Sequence, residues 1–211
     1  RLVGLGVKNL VVRPRNWDEC GQKVKTDRRD ALALLSCLDR YVAGNTEALT
    51  SIRVPTEAEE RSRSVSRQRE QLLEHRKRLA AQGLSCARYY GHDLPEEWWR
   101  AKKFEALRPE LPEFLFALLE SFQRIALVVN EQLDARSAQI ESAQTQELPT
   151  GLGALSAQIL DREIVDWQRF ENRRHVASYT GLVPSEDSSG ERRHRGAITK
   201  HGNPRVRHLL I

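Results

Sequence analysis

Apolar positions recur at helical spacing over most of the chain, and one short stretch near the N-terminus departs from that pattern. Residues 5–12, LGVKNLVV, form an apolar run closed by Arg13-Pro14, which predicts a short buried strand. Downstream, leucines at every third position predict a helix from Asp27 to about Val42, with Thr26 as its N-cap. These leucines are Leu32, Leu35 and Leu38. A strand, a loop and a helix together predict a partial α/β fragment.

Two longer helical patterns follow. Residues 56–82 are highly charged, and their apolar positions are seven apart, at Val65, Leu72 and Leu79. Residues 83–95 form a predicted break. Residues 111–144 are better amphipathic, with apolar positions at three- and four-residue steps: Leu115, Leu118, Phe122, Ile125, Val129, Leu133 and Ile140. The two patterns predict a long helical hairpin, packed antiparallel within one chain.

A third unit is predicted from residue 147 onward. The stretch LPTGLGALSAQIL predicts a helix from Ala154, and residues 159–170 predict a second helix or turn. Gly151 and Gly153 have the spacing of a helix-hairpin-helix, in which glycines let backbone N–H groups approach a phosphate. A plain turn between helices has the same pattern, so both interpretations stand. The predicted divisions are 1–50, 51–146 and 147–211, in a mostly α chain.

Composition narrows the classes of partner. The 211 residues carry a net charge of +5, and the excess is concentrated at the C-terminus, as in many nucleic-acid-binding proteins. Three cysteines without CxxC spacing indicate reduced thiols in a cytoplasm and argue against a disulfide framework or a zinc site. No apolar run is long enough to span a membrane. The chain has no methionine, which suggests that it begins inside a longer reading frame.

The strongest cluster of candidate chemistry lies in the last 24 residues. Ser188 and Ser189 precede Gly190, which can take a positive φ and expose a serine on a turn. From residue 190 to the end the only acid is Glu191, against six cations that suit a phosphate: Arg192, Arg193, Arg195, Lys200, Arg205 and Arg207. On composition alone, a solvated basic loop with ordinary turn residues explains the stretch as well.

A pair of carboxylates opens the first predicted helix. Asp27 and Asp30 are three residues apart, so both belong to the same side of the helix. Two oxygen ligands in that arrangement suit Mg²⁺. Acids in a first helical turn are also common because they interact favourably with the helix dipole, so spacing alone leaves the metal site open.

The order and spacing of residues in the C-terminal stretch are specific. The residues that carry it, in order, are Tyr179, Gly181-Leu182, Pro184, Ser189-Gly190, Gly196, Ile198-Thr199-Lys200, Gly202-Asn203 and Arg207. They resemble the C-terminal domain of the insertion-sequence-110 type transposases, DEDD serine recombinases that include bridge-RNA-guided enzymes. The resemblance implies that Ser189 is the nucleophile that joins covalently to DNA, with Ser188 as the alternative register.

The same resemblance extends to the carboxylates. In that family a RuvC-like, RNase-H-like domain carries Asp, Glu, Asp and Asp, and the last two lie in the wording K-T-D-x-x-D-A, which here is Asp27 and Asp30. The only acids upstream are Asp18 and Glu19, outside the expected context. We therefore expect the first Asp and the Glu to be missing from these residues, and expect this polypeptide alone not to cut DNA.

The implied activity is DNA strand exchange through a phosphoserine, with Mg²⁺ held by Asp27 and Asp30. Four cations, Arg192, Arg193, Arg195 and Lys200, are candidates for clamping phosphate oxygens, and His194 for moving protons. The resemblance also implies a guide RNA for some members, a dimer or tetramer, and a bacterial, nucleoid-associated protein. Two alternatives are a non-catalytic nucleic-acid-binding module and a metal-dependent resolvase or nuclease in which water is the nucleophile.

Overall fold

The computed structural model describes residues 3–7, 9–12, 26–189 and 192–211, and these fall into two units, 1–56 and 57–211. The first unit contains helix α1 (Asp27–Val42). The second contains two long helices, α2 (Glu57–Tyr89) and α4 (Glu113–Glu141), with the short α3 (Ala101–Ala106) between them. Helices α5 (Ala154–Ile164) and α6 (Arg173–Thr180), strands β1 (Pro184–Ser189) and β2 (Arg192–Ile198), and helix α7 (Pro204–Leu210) complete it. The described residues are therefore mostly helical, as predicted.

The predicted strand over residues 5–12 is wrong. A short 3₁₀ helix occupies Val3–Leu5, and the side chain of Leu5 is 77% exposed. The extended pairing in this unit that the structure describes is one bridge between Val12 and Ser51, with Ile52 N–H donating to the Val11 carbonyl at 2.8 Å. A strand is stabilised by a ladder of hydrogen bonds, and one bridge does not make a ladder. The RNase-H-like sheet therefore stays a prediction.

Helix α1 has the predicted bounds. Thr26 is extended at φ −139° and ψ 144°, and its carbonyl accepts hydrogen bonds from the backbone N–H groups of Arg29 and Asp30 at 3.0 and 3.1 Å. Its side chain makes no capping hydrogen bond, so Thr26 caps through its backbone only. The predicted leucine stripe is exposed on the helix surface, whereas Cys37 is buried.

The predicted antiparallel hairpin is present as α2 packed on α4. Arg69 Nε donates to Ser137 Oγ at 2.8 Å, and Arg76 Nη1 donates to Asn130 Oδ1 at 2.6 Å. Residue numbers rise along α2 as they fall along α4, which establishes the antiparallel direction. Near the connecting end, Ala87 and Leu115 pack with the aromatic side chains of residues 98, 99, 104 and 116 in one buried cluster.

Helix α2 continues seven residues beyond the predicted end at Gln82, so the break predicted at Gly83 is wrong. Gly83 is buried, and a Cβ there would collide with the indole ring of Trp98. Trp98 Nε1 donates to the Ala80 carbonyl at 3.0 Å, which fixes the ring against the helix backbone. The glycine thus marks a close helix–ring contact, which outweighs its low helix propensity.

The buried side of α4 agrees with the predicted apolar stripe only in part. Leu115, Leu133 and Ile140 are buried as expected, but Leu118 and Ile125 are exposed, and their neighbours Leu119 and Ala126 are buried instead. Leu119 and Ala126 face the hairpin core, whereas Leu118 and Ile125 lie on another side of the helix.

The C-terminal segment packs against this hairpin. Helix α5 contacts both α2 and α4, and α7 contacts α5 and α6. Leu160, Ile164 and Val206 form its buried cluster. Residues 159–170 were predicted to form a second helix or turn. In the structure, α5 runs without interruption to Ile164, and Val165, at φ 66°, lies outside the helical region, so no second helix begins within 159–170. Among the described helices, none is both long and apolar enough to cross a membrane.

Candidate active site and nucleic-acid interface

Ser189 is the last residue of β1, in a two-stranded antiparallel hairpin that composition and periodicity did not predict. The register sets Ser189 opposite Arg192 and Ser188 opposite Arg193. Gly190, to which we assigned the exposing turn, lies outside the described residues, as does Glu191. The candidate nucleophile and the first candidate phosphate clamps are therefore neighbours at one end of the ribbon.

The base of this hairpin is held by a tight backbone crossing. Gly181, at φ 70°, ends α6, and its carbonyl accepts from Lys200 N–H at 3.1 Å. A Cβ on Gly202 would collide with the Tyr179 carbonyl and the backbone at Gly181. Asn203 N–H donates to the Tyr179 carbonyl at 2.7 Å. These glycines permit a close approach of the segments that precede β1 and follow β2.

Two of the predicted DNA contacts are engaged within the same unit. Arg207 Nη1 donates to the carbonyls of Thr180 and Lys200, both at 3.0 Å, and so links α6 to the segment after β2. Arg205 Nε donates to Glu70 Oε2 on α2 at 2.6 Å, and this hydrogen bond raises the pKa of Arg205. Both guanidinium groups therefore have structural partners in the absence of nucleic acid.

The remaining predicted cations are differently placed. Arg195 lies on β2 opposite Glu186, and Lys200 follows the strand with φ 55°; both are exposed. His194, the candidate proton carrier, is exposed on the same strand. The exposed Arg195 and Lys200 are accessible to a nucleic-acid backbone, which is the arrangement that phosphate contacts require.

The sequence interpretation missed a buried acid, Glu163 on α5, close to the residues that hold the base of the β1–β2 hairpin. Its side chain is 4% exposed, and its two oxygens lie 3.5 Å from Arg67 Nε and 3.4 Å from Asn203 Nδ2. The same Asn203 nitrogen donates to the Tyr179 hydroxyl at 2.9 Å. Arg63 donates to the backbone carbonyls of residues 162 and 163. One polar cluster therefore joins α2, α5 and α6 to the start of α7.

A signal for this acid was present in the sequence. Glu163 follows Ile159 by four residues and Leu160 by three, so helical spacing places it on the apolar side of α5, where a buried side chain is expected. Buried acids are normally paired, so the position itself indicated a partner elsewhere in the chain. The partners come from distant segments, and sequence spacing could not identify them.

Gly151 and Gly153 lie in the connection that precedes α5. Gly151 has φ 91°, and Gly153 is the N-cap of α5. Both are exposed, and a Cβ at either would have no neighbour within 4 Å. The space in front of this helix start is open to a ligand, and whether a phosphate occupies it stays a prediction.

Asp27 and Asp30 both lie in the first turn of α1, in the first unit, whereas Ser189 and the cations belong to the second. Asp27 is exposed and Asp30 is half-buried. Across the described ranges, no group of three or more His, Cys, Asp or Glu side chains forms a candidate metal site. Asp18 and Glu19 lie outside those ranges. Because Mg²⁺ is usually bound by one or two carboxylates with waters and substrate phosphates, the pair still fits it by donor chemistry.

The segment that carries this hairpin matches a known family of DNA-acting enzymes. Residues 146–211 match the model of the Transposase IS116/IS110/IS902 family. The relatives extend the similarity along the whole chain, and together these matches support assignment of the chain to that family of transposases.

Three relatives illustrate the similarity. Putative transposase y4qE of Sinorhizobium fredii is 33% identical over 217 residues, covering 98% of this chain and 52% of the relative. The protein y4rJ of the same organism, which carries the same designation, is 31% identical over 90% of this chain and 54% of its own length. The transposase for insertion sequence element IS1111A of Coxiella burnetii is 27% identical over 99% of this chain and 59% of its own. The chain thus spans about half the length of the curated relatives that it matches.

Proposed function

We propose that the protein to which these residues belong is a transposase that exchanges DNA strands through a phosphoserine at Ser189. The observation that carries this proposal is the position of Ser189 opposite Arg192, at the end of the ribbon within the family match. A nucleophile beside cations is the arrangement that attack on a phosphodiester needs.

In the proposed reaction, Ser189 Oγ attacks a backbone phosphorus. The Oγ–P bond forms, the bond from phosphorus to the 3′ oxygen breaks, and the serine proton is lost as the leaving 3′ oxygen gains one. The phosphoserine keeps the energy of the broken ester, so that a 3′ hydroxyl of another strand can reverse the step without a nucleotide cofactor. His194, exposed on β2, is the candidate proton carrier.

The exposed Arg195 and Lys200, together with Arg192 and Arg193, are proposed to hold the non-bridging phosphate oxygens. Ser189 and Ser188 are the two alternative registers of the proposed nucleophile, and a single substitution at each position separates them.

The carboxylate half of the site is proposed from the resemblance. Asp27 and Asp30 are candidate ligands of Mg²⁺, and a bound magnesium ion would neutralise negative charge at the reacting phosphate. The structured guide RNA, the dimeric or tetrameric state and the association with the bacterial nucleoid also stay proposals. The charged surface of α2 is compatible with nucleic-acid contact, but several of its arginines are used in pairs such as Arg61–Glu57.

The experiment is a covalent-trapping assay. A protein of the relatives' full length that contains this sequence is incubated with Mg²⁺, end-labelled DNA from its element's ends and host RNA, and is then denatured. We expect a protein–DNA adduct that is lost in Ser189→Ala and kept in Ser188→Ala. An adduct that is lost only in Ser188→Ala would move the nucleophile by one residue.

Two outcomes would support the alternatives. Cleaved DNA without an adduct, unaffected by Ser189→Ala, would favour a resolvase in which water attacks. DNA binding by the 211-residue chain, with no cleavage or adduct in the longer protein under any RNA condition, would favour a binding module.

A further inference from the structure

A small cavity lies between α2, α5 and α7 in the second unit. Its volume is about 90 Å³, and each of the three helices contributes one aliphatic side chain to its wall: Leu73, Ile159 and Leu209. A cavity of this size has room for about three water molecules, at about 30 Å³ each, and is smaller than the roughly 150 Å³ apolar cavity known to hold benzene. It therefore suits water or a solute smaller than benzene.

Two buried polar side chains belong to the same wall. Ser66 on α2 is 5% exposed and Glu163 on α5 is 3% exposed, and both line the cavity. Within the part of the chain that the structure describes, Ser66 Oγ and Glu163 Oε1 have no hydrogen-bond partner. A buried polar atom without a hydrogen bond costs stability. A molecule in the cavity that bonds both atoms would remove that cost.

The hydroxyl of Ser66 differs from that of its neighbour on the same helix. Ser64 Oγ donates to the Glu60 carbonyl at 2.8 Å, four residues earlier, which is a common bond for a serine inside a helix. Ser66 Oγ makes no such bond within the described residues. The Ser66 hydroxyl is therefore available to a molecule in the cavity, and Ser64 supplies a matched comparison.

The charges around the cavity favour a neutral occupant. Among the described residues of its wall, each glutamate already has a cation of its own. The pairs are Glu70–Arg205 at 2.6 Å, Glu74–Lys77 at 3.0 Å and Glu163–Arg67 at 3.5 Å. A charged occupant would therefore add a charge without a partner. Because an ionised carboxylate only accepts hydrogen bonds, the occupant must donate one to Glu163.

We propose that this cavity is a binding site for a small neutral hydrogen-bond donor, water or a short aliphatic alcohol, held by Ser66 Oγ and Glu163 Oε1. The aliphatic side chains of the wall contact the alkyl part of an alcohol. The bound molecule connects α2 of the long hairpin to α5 and α7, the helices that pack beside the base of the β1–β2 hairpin. The site is separate from Ser189 and does not depend on the serine chemistry.

The first test compares three probes of the same size on the 211-residue chain. The probes are 2-propanol, acetone, which has no donor, and isopropylammonium, which is charged. Methyl NMR signals of Leu73, Ile159 and Leu209 should shift with 2-propanol, and acetone should bind about fivefold more weakly, the loss of one hydrogen bond. Isopropylammonium should bind more weakly than 2-propanol. The methyl signals of Leu118, exposed on α4, are the control and should not move.

The second test replaces the two serines of α2. Ser66→Ala should melt about 2–4 °C below Ser64→Ala, because it loses a hydrogen bond to the bound molecule while the change in helix propensity is the same. Ser66→Ala should also weaken the binding of 2-propanol, and Ser64→Ala should leave it unchanged. If the cavity is dry, Ser66→Ala removes an unpaired buried hydroxyl and should melt above Ser64→Ala, which would overturn the proposal.

Crystals grown with and without 2-propanol distinguish the two sources of the donor. Water at hydrogen-bond distance from Ser66 Oγ and Glu163 Oε1 that stays in the presence of 2-propanol makes water the ligand. Replacement of that water by the alcohol makes the alcohol the ligand. A cavity that contains neither molecule and takes up xenon under pressure would overturn the proposal, as would acetone or isopropylammonium binding more tightly than 2-propanol.

Discussion

Replacing Gly83 with alanine should destabilise the hairpin, although alanine is the better helix former. The added Cβ would lie 2.5 Å from Cη2 and 3.1 Å from Cε2 of Trp98. The ring has little room to move, because it is 3% exposed and donates to the Ala80 carbonyl at 3.0 Å. Phe104 also packs against the ring, with the two ring centroids 6.0 Å apart.

The opposing contributions can be compared. Overpacking a core costs about 1–3 kcal/mol. If the indole shifts, its hydrogen bond is lost at about 1 kcal/mol. Helix propensity returns about 1 kcal/mol for Gly→Ala. The net loss is therefore about 2 kcal/mol, and the expected fall in Tm is about 4–8 °C for a chain of this size.

Equilibrium urea unfolding followed by far-UV circular dichroism measures the loss. Gln82→Ala, at the exposed neighbouring position, is the control and should stay within about 0.5 kcal/mol of the parent. In a Trp98→Leu background the collision is removed, so Gly83→Ala should become neutral or stabilising. A stable Gly83→Ala protein, or the same loss in both backgrounds, would refute the steric argument.

Three further predictions concern the candidate site. Arg207→Ala should destabilise the chain by about 1.5–3 kcal/mol, since it removes a charged donor shared by two carbonyls, and unfolding that is unchanged would show that the link is dispensable. Glu163→Ala should lower the free energy of unfolding by about 2–3 kcal/mol, because it leaves a buried void. Glu163→Gln should stay within about 1 kcal/mol of the parent, because the contacts of the charged group are long. Equal losses for the two variants in thermal melts would contradict this reasoning. Fluorescence anisotropy at several salt concentrations gives the slope of log K for DNA binding against log salt concentration. Arg195→Ala should reduce the magnitude of this slope by about 1, whereas Arg205→Ala should leave it unchanged, because Arg205 already pairs with Glu70. Equal slopes for the two variants would refute the distinction.

The sequence predicted the helices better than it predicted their buried faces. The bounds of α1, the start of α5 at Ala154 and the antiparallel hairpin follow from local patterns of apolar, capping and charged residues. On α4 the sequence favoured Leu118 and Ile125, whereas the structure buries Leu119 and Ala126, because the helix carries apolar residues on two sides and periodicity does not say which side meets α2. Gly83 was misinterpreted for a similar reason, because a glycine is needed there to make room for the ring of Trp98, 15 positions away in the chain.

For the candidate site, the sequence alone supplied the residue types and their order. The residue order around Ser189, the cations after it and the Asp27–Asp30 pair are local features. The family match over 146–211 agrees with the family named from the C-terminal residues, and the carboxylate pair stays a prediction. Tertiary structure decided which cations already have partners within the protein. Arg205 donates to Glu70 and Arg207 donates to the Thr180 carbonyl, and both acceptors are far from these arginines in the sequence. It also decided that the side chain of Glu163 is buried, and that Arg67 and Asn203 are its partners. Local sequence determines what a residue can do and which element it joins, but the partners of a side chain depend on which distant segments are packed together.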